Sequence, residues 1–333
     1  MTDILIVKHG ALGDVVRTAF ALPGLHKKYG AGLRVWWLTA PAATDLLRFN
    51  PWVYKILTTP SQIPALQFAA VYSFDDELDA ATAATAAKTD YFLGARTETD
   101  GKVGYSDNSA SWFDMGLCSR FGKARADQMK MENQRSHAQI YAAMMAIEIA
   151  RGDFHNSPQI ESRWRREIRR DGRFHIGLNP FAGGRWKSKA LPDREVAPLL
   201  KALVDARPGG LPTRITLFGE GDQHAQLAAL AQPHGDCVRL AHTSESILDL
   251  AAGLAAQDYL ISTDSLALHL AVARNVKNLS FYAPTSAAEI ETFELGVKVI
   301  STSPDYCNYQ RDADNSSITA NRIMAAFEQS IAK

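Results

Sequence analysis

Ile4-Leu5-Ile6-Val7-Lys8-His9-Gly10-Ala11-Leu12-Gly13-Asp14-Val15-Val16-Arg17-Thr18 is the stretch whose reading decides the fold. Four apolar, mostly β-branched residues read as a buried strand, two glycines and an acid as a tight loop, and residues 15–22 as a helix. A strand, loop and helix in this order open a doubly wound α/β sheet, where ligands gather at the carboxyl ends of the strands. Asp14 is thereby delivered to a binding edge. Two uses follow from that one geometry: a carboxylate that only caps the helix, or one that takes a proton from a substrate.

Working outward, residues 33–39, 53–57, 69–74 and 90–94 read as further strands, with helical patterns at 42–49 and 75–88. Strands alternating with helices at this spacing predict a parallel sheet, so residues 1–155 form one Rossmann-like domain. Residues 101–131 break the rhythm with glycines, Trp112, Phe113 and several basic side chains. A structureless stretch of this length is more often functional or mobile than decorative, and it reads as a substrate-facing insertion in which Arg120 and Lys123 join Gly13 and Arg17 as candidate contacts to the substrate. The competing reading is a helix-bearing segment packed on the sheet. Residues 133–151 carry helical spacing, and 156–172, polar and basic with Pro158, read as the linker.

The pattern then restarts over 173–333. Strands are expected at 174–179, 214–218, 237–240, 259–262, 279–282 and 297–300, with helices at 195–206, after Ser246, at 266–274 and at 318–331. The last helix could pack back on the first domain. The expectation is two Rossmann-like, doubly wound domains facing across a cleft, the second of them binding a nucleotide.

Composition bounds the partners. The 333 residues are 46% hydrophobic and 22% charged, with a formal net charge of zero, so a two-domain globular chain is expected and no global field recruits nucleic acid. The first strand begins within three residues of Met1, which leaves no room for a signal peptide, and no apolar run reaches the ~18 residues of a membrane span. A cytoplasmic protein is expected. Cys118, Cys237 and Cys307 lack the spacing of a disulfide framework or a zinc site. Asp312-Ala313-Asp314 offers too few converging oxygens for a hard cation, so neither metal nor cofactor is expected.

Three features of the second half converge on an anionic ligand. The loop carrying Gly183, Gly184, Arg185, Lys187 and Lys189 allows close backbone approach and supplies positive charge. Asp264-Ser265 opens a helix whose unpaired N–H groups suit a pyrophosphate, and His269 lies four residues beyond Ser265. Gly219-Glu220-Gly221-Asp222 ends a strand, and either Glu220 or Asp222 could accept ribose hydroxyls or cap the next helix. A dehydrogenase and a P-loop enzyme are both disfavoured. Gly10-Ala11-Leu12-Gly13 lacks the dinucleotide spacing, and no G-x-x-x-x-G-K-[ST] occurs.

Leu12-Gly13-Asp14-Val15, Gly183-Gly184 through Lys189, Phe218-Gly219, Thr263-Asp264-Ser265 with His269-Leu270-Ala271, and Pro284-Thr285, taken in order, resemble the bacterial heptosyltransferases of glycosyltransferase family 9. The resemblance implies a GT-B fold and an inverting, metal-free transfer of heptose from ADP-heptose, in most members to the inner core of lipopolysaccharide. It implies that Asp14 is the general base, that Lys189 contacts the donor phosphates, and that Asp264 with Ser265 sits at the donor helix. Asp222 falls where the family has a ribose-binding acid, with Glu220 still open. Leu266 and Ala283 stand where members often have glycine, and Arg17 where histidine is common. These departures, with residues 101–131, leave room for a soluble or secondary-metabolite acceptor. A lipid acceptor would bring peripheral contact with the inner membrane. A non-catalytic nucleotide-sugar-binding protein on the same scaffold is the alternative from another class.

Overall fold

In the computed structural model, which describes residues 1–168, 172–183, 186–243 and 246–332, the opening apolar run forms strand β1 (Thr2–Val7), and Ile4 to Val7 have no exposed surface. Complete burial of both faces is what a central strand of a parallel sheet requires. β1 lies between β2 (Leu33–Leu38) and β4 (Ala70–Ser73), and the first sheet is completed by β3 (Lys55–Leu57), β5 (Phe92–Thr97) and β6 (Val103–Tyr105). The order is β3-β2-β1-β4-β5-β6, parallel except for β6, which runs antiparallel to β5. Asp3, opposite Arg34 in the β1–β2 register, takes two hydrogen bonds from its guanidinium and one from Trp36 Nε1, which ties the amino ends of the two strands together.

The second sheet repeats this plan. Its strands are β7 (Phe174–Asn179), β8 (Thr213–Leu217), β9 (Val238–Leu240), β10 (Tyr259–Thr263), β11 (Lys277–Tyr282) and β12 (Gly296–Ile300), in the order β12-β11-β10-β7-β8-β9 and all parallel. In both sheets the first strand and the fourth of the set lie side by side and the chain winds outward from them in opposite directions. Their carboxyl ends form the topological switch point, the place where such sheets bind ligands. One core packs against the second sheet, with Ile176, Leu178, Ile215, Leu217 and Ile261 from the strands and Leu199, Leu200, Leu203, Ile323 and Phe327 from helices.

The chain divides into two units: Met1–His155 with Ala288–Glu291, and Asn156–Ala287 with Thr292–Lys333. Three expectations change here. Residues 156–172 are not an open linker, because Pro158–Glu167 is a helix of the second unit that buries Trp164 and packs on the helix Ile247–Ala255. The final helix, Ala320–Ile331, stays with the second unit, where Phe327 joins its core against the helix Asp193–Asp205. Residues 101–131 form β6, the short helix Ala110–Phe113 and the helix Lys123–Glu132. Tyr105 and Phe113 build a small core with Ala81 and Ala95, so this stretch is the packed, helix-bearing segment of the two readings. Among the described residues no helix is long and apolar enough to cross a membrane.

Candidate active site

In the first unit, Asp14 lies in the opening turn of the helix Leu12–Ala19, which starts earlier than its sequence pattern predicts because Leu12 and Gly13 are already helical. The N-cap is Ala11, and no side chain caps this end. The carboxylate of Asp14 therefore does not serve as a cap. It pairs with Arg17 one turn on, and its side chain keeps about a third of its surface, 36%, open to solvent. Burial alone would raise its pKa, but the charges of Arg17 and Lys8, the Arg17 hydrogen bond and the charge of His137 outweigh it and hold the carboxyl well below the usual carboxylate range. Asp14 is ionised in this setting.

His137 and Tyr141, neither singled out in the sequence, stand beside it. His137 and Tyr141, on the helix His137–Met145, stack with ring centroids 3.7 Å apart, and Trp112 meets both edge-on at 5.0 and 5.3 Å. Burial first, and the charge of Asp14 next, push the Tyr141 phenol well above its ordinary value, so it stays protonated. Ser136 caps this helix through Gln139 N–H and donates its hydroxyl to Glu291, while His137 N–H donates to Glu289 C=O. The cap was legible as Ser136 three residues before Gln139, the spacing of a capping box.

Of the expected acceptor residues, Gly13 and Arg17 share the helical turn of Asp14. Arg120 and Lys123 are engaged elsewhere. Arg120 donates to Tyr105 Oη, Asp114 and Asp107, and Lys123 pairs with Asp127 on an exposed helix face. This placement lends no support to an acceptor role for either.

In the second unit, Lys189 comes from the loop after β7 and Asp264 directly follows β10, the two strands of the switch point. Lys189 Nζ lies 2.8 Å from Asp264 Oδ2, which also accepts the Thr285 hydroxyl at 2.9 Å, and His269 Nε2 lies 3.6 Å from Asp264 Oδ1. Thr263 Oγ1 donates to the Lys189 carbonyl at 2.5 Å, locking the backbone that carries the lysine. Asp264 is 8% exposed and His269 5%. Asp264 is thus the centre of a buried polar cluster that Lys189, Thr285 and His269 share. That helix, Leu266–Ala273, has Ser265 as an N-cap without a side-chain cap bond; the Ser265 hydroxyl instead accepts from Asn179 Nδ2 at 3.0 Å. No Ser265 side-chain cap takes its opening N–H groups, and the dipole there favours an anion.

Glu220 N–H donates to Gln223 Oε1 at 3.0 Å at the start of the short turn Gly221–Gln223, and Gly183 passes so close that an added Cβ would sit 3.1 Å from Glu220 Oε1. Asp222 is exposed and makes no hydrogen bond among the described residues. Lys187 is likewise exposed, whereas Gly184 and Arg185 lie outside the described residues. Among the described residues no group of three His, Cys, Asp or Glu side chains is placed to hold a metal ion.

Two six-stranded doubly wound units, each with its chemistry-bearing residues at a switch point, define a GT-B glycosyltransferase. The family model of glycosyltransferase family 9 (heptosyltransferase) matches residues 67–318, and the chain belongs to that family. No curated protein sequence matches it. Among solved structures, it is similar to a family 9 glycosyltransferase from Veillonella parvula, with TM-score 0.69, 13% identity and 99% and 97% of the two chains covered. It is also similar to the ADP-heptose lipopolysaccharide heptosyltransferase II of E. coli, with TM-score 0.65, 16% identity and 100% and 99% coverage. The E. coli heptosyltransferase WaaC, solved with ADP-2-deoxy-2-fluoro heptose, gives TM-score 0.63 at 16% identity, with 98% and 99% covered.

Proposed function

We propose that this chain transfers heptose from ADP-heptose, with inversion, to a hydroxyl of an acceptor, and that the acceptor is the inner core of lipopolysaccharide. The observation that carries the reading is the Lys189–Asp264–Thr285 cluster beside the uncapped N-terminus of Leu266–Ala273. A lysine ammonium and helix amides at one switch point are a site for a diphosphate. Asp264 and Thr285 hold the lysine in place, and Lys187 and the backbone at Gly183 extend the anion-binding loop. Asp222, exposed in the turn after β8 and without a hydrogen bond among the described residues, accepts the ribose hydroxyls.

The chemistry follows from charge. An acceptor hydroxyl attacks the anomeric carbon from the face opposite the nucleotide and passes its proton to Asp14. The leaving diphosphate gains negative charge, which Lys189 and the helix amides stabilise. In this reading the enzyme needs no metal or cofactor and works in the cytoplasm, at the inner-membrane surface where its lipid acceptor lies.

A thermal-shift panel of ADP, UDP and GDP with their sugar conjugates tests the donor. A ligand at 100 times its dissociation constant stabilises by about 2.7 kcal/mol. ADP and ADP-heptose should give the largest shifts and lose them in Lys189→Met. Larger shifts with UDP or GDP conjugates would overturn the heptose donor.

A further inference from the structure

The two units use the same device at their switch points. In the second, Asp264 follows β10 and receives Lys189 from the loop after β7. In the first, Asp75 follows β4 and Lys8 follows β1: Lys8 Nζ lies 3.3 Å from Asp75 Oδ2 and donates to the Phe74 carbonyl at 3.1 Å. Both members are buried, with Asp75 only 4% exposed. In the first unit the carboxylate also holds backbone. Asp75 Oδ2 also accepts the backbone N–H of His9 at 2.9 Å and of Gly10 at 3.2 Å.

These two amides belong to the four residues between the end of β1 at Val7 and the start of the Asp14 helix at Leu12. The β2 side secures the same loop through its carbonyls, with Trp37 Nε1 on Lys8 O and Ala40 N–H on His9 O. Among the described residues no backbone acceptor takes the His9 and Gly10 amides, so these two amides hang on one carboxylate, beside the Lys8 bond to the Phe74 carbonyl. We propose that Asp75 is a positioning residue for Asp14, fixing the backbone of His9 and Gly10 and with it the entry of the helix that presents the base. This rests on Asp14 being the base. A shift of about 1 Å in a catalytic group can cost about 10²-fold in rate without touching the substrate.

Removing Asp75 alone would strand the buried Lys8 ammonium, so the test pairs each change with Lys8→Met. Lys8→Met/Asp75→Asn keeps an oxygen for the two amides, while Lys8→Met/Asp75→Ala removes it. Hydrogen exchange, kcat with ADP-heptose and affinity for ADP are then compared in the full chain. The alanine pair should show faster exchange at His9, Gly10 and the first turn of Leu12–Ala19, a kcat about 10²-fold lower, and ADP affinity within twofold of the wild type. The asparagine pair should recover most of both losses. Equal exchange and equal kcat in the two pairs would overturn the proposal, and so would unfolding of the alanine pair, which would make Asp75 a residue of stability. A wild type that turns over no nucleotide-heptose would overturn the transfer reading instead, and exchange at His9 and Gly10 would still decide what Asp75 holds.

Discussion

Asp14 and Arg17 occupy successive turns of one short helix, and their ion pair sets the state of the base before any substrate arrives. A carboxylate held well below its usual range stays ionised but is a reluctant proton acceptor, because general-base efficiency grows as the pKa approaches the working pH. The sign of the pH effect follows. With the pKa depressed, Asp14 remains charged through mildly acid conditions, so it imposes no acid limb on kcat/KM near pH 5. Arg17→Ala removes the largest of the favourable charges, raises the Asp14 pKa and moves the acid limb to higher pH. An unchanged acid limb in kcat/KM profiles of the two enzymes would show that another group governs it. Lys189 has the opposite design: its charge is engaged by a buried carboxylate that fixes it beside the helix terminus where a diphosphate can reach it.

At the scale of elements, β4 and β5 bear directly on the loop that Asp75 organises. Gly94 on β5 stands opposite Ser73, two residues before Asp75, with a φ of +123°, and a Cβ added there would lie 1.9 Å from the Ser73 carbonyl oxygen. Gly94→Ala combines a clash with a backbone conformation that only glycine adopts easily. It should cost about 2–4 kcal/mol and lower Tm by roughly 5–15 °C, measured by calorimetry. A Tm within about 2 °C of the wild type would mean that β5 relaxes away without disturbing the switch point.

The elements also explain what could be read in advance. Runs such as Ile4 to Val7 and Phe174 to Asn179 are buried on both faces and announce themselves as strands whatever surrounds them. The Asp14 helix began earlier than its pattern because Leu12 and Gly13 resemble loop residues and Ala11 is an unmarked cap. The helix Pro158–Glu167 passed for a linker because it buries only Trp164, half-covers Ile160 and is otherwise polar or charged. Asp264 was visible as an acid just past a strand end, and Lys189 and Asp14 as charged residues in the strand-to-helix connections after β7 and β1. Asp75 has the same mark, yet it read as the acidic start of the next helix; only the β1–β4 pairing shows which loop it meets. His137 and Tyr141 carried no signal, since a His and a Tyr four residues apart on an apolar helix face are usual core composition.

At the scale of the molecule, the account divides labour between two units of the same topology, one presenting a base and the other gripping a diphosphate. The family match begins at residue 67, so it covers Lys189, Asp222 and Asp264, whereas the role of Asp14 rests on its place at the switch point and on its charge. The central claim is therefore tested most directly at that residue. The measurement is ADP release from ADP-heptose in the presence of heptose-less lipopolysaccharide and excess EDTA, for the wild type and for Asp14→Asn, with ADP affinity measured alongside. The account expects release by the wild type despite the chelator, a fall of about 10²-fold or more in Asp14→Asn, and ADP affinity within twofold. Near-normal release by Asp14→Asn, or loss of wild-type release in EDTA, would contradict it.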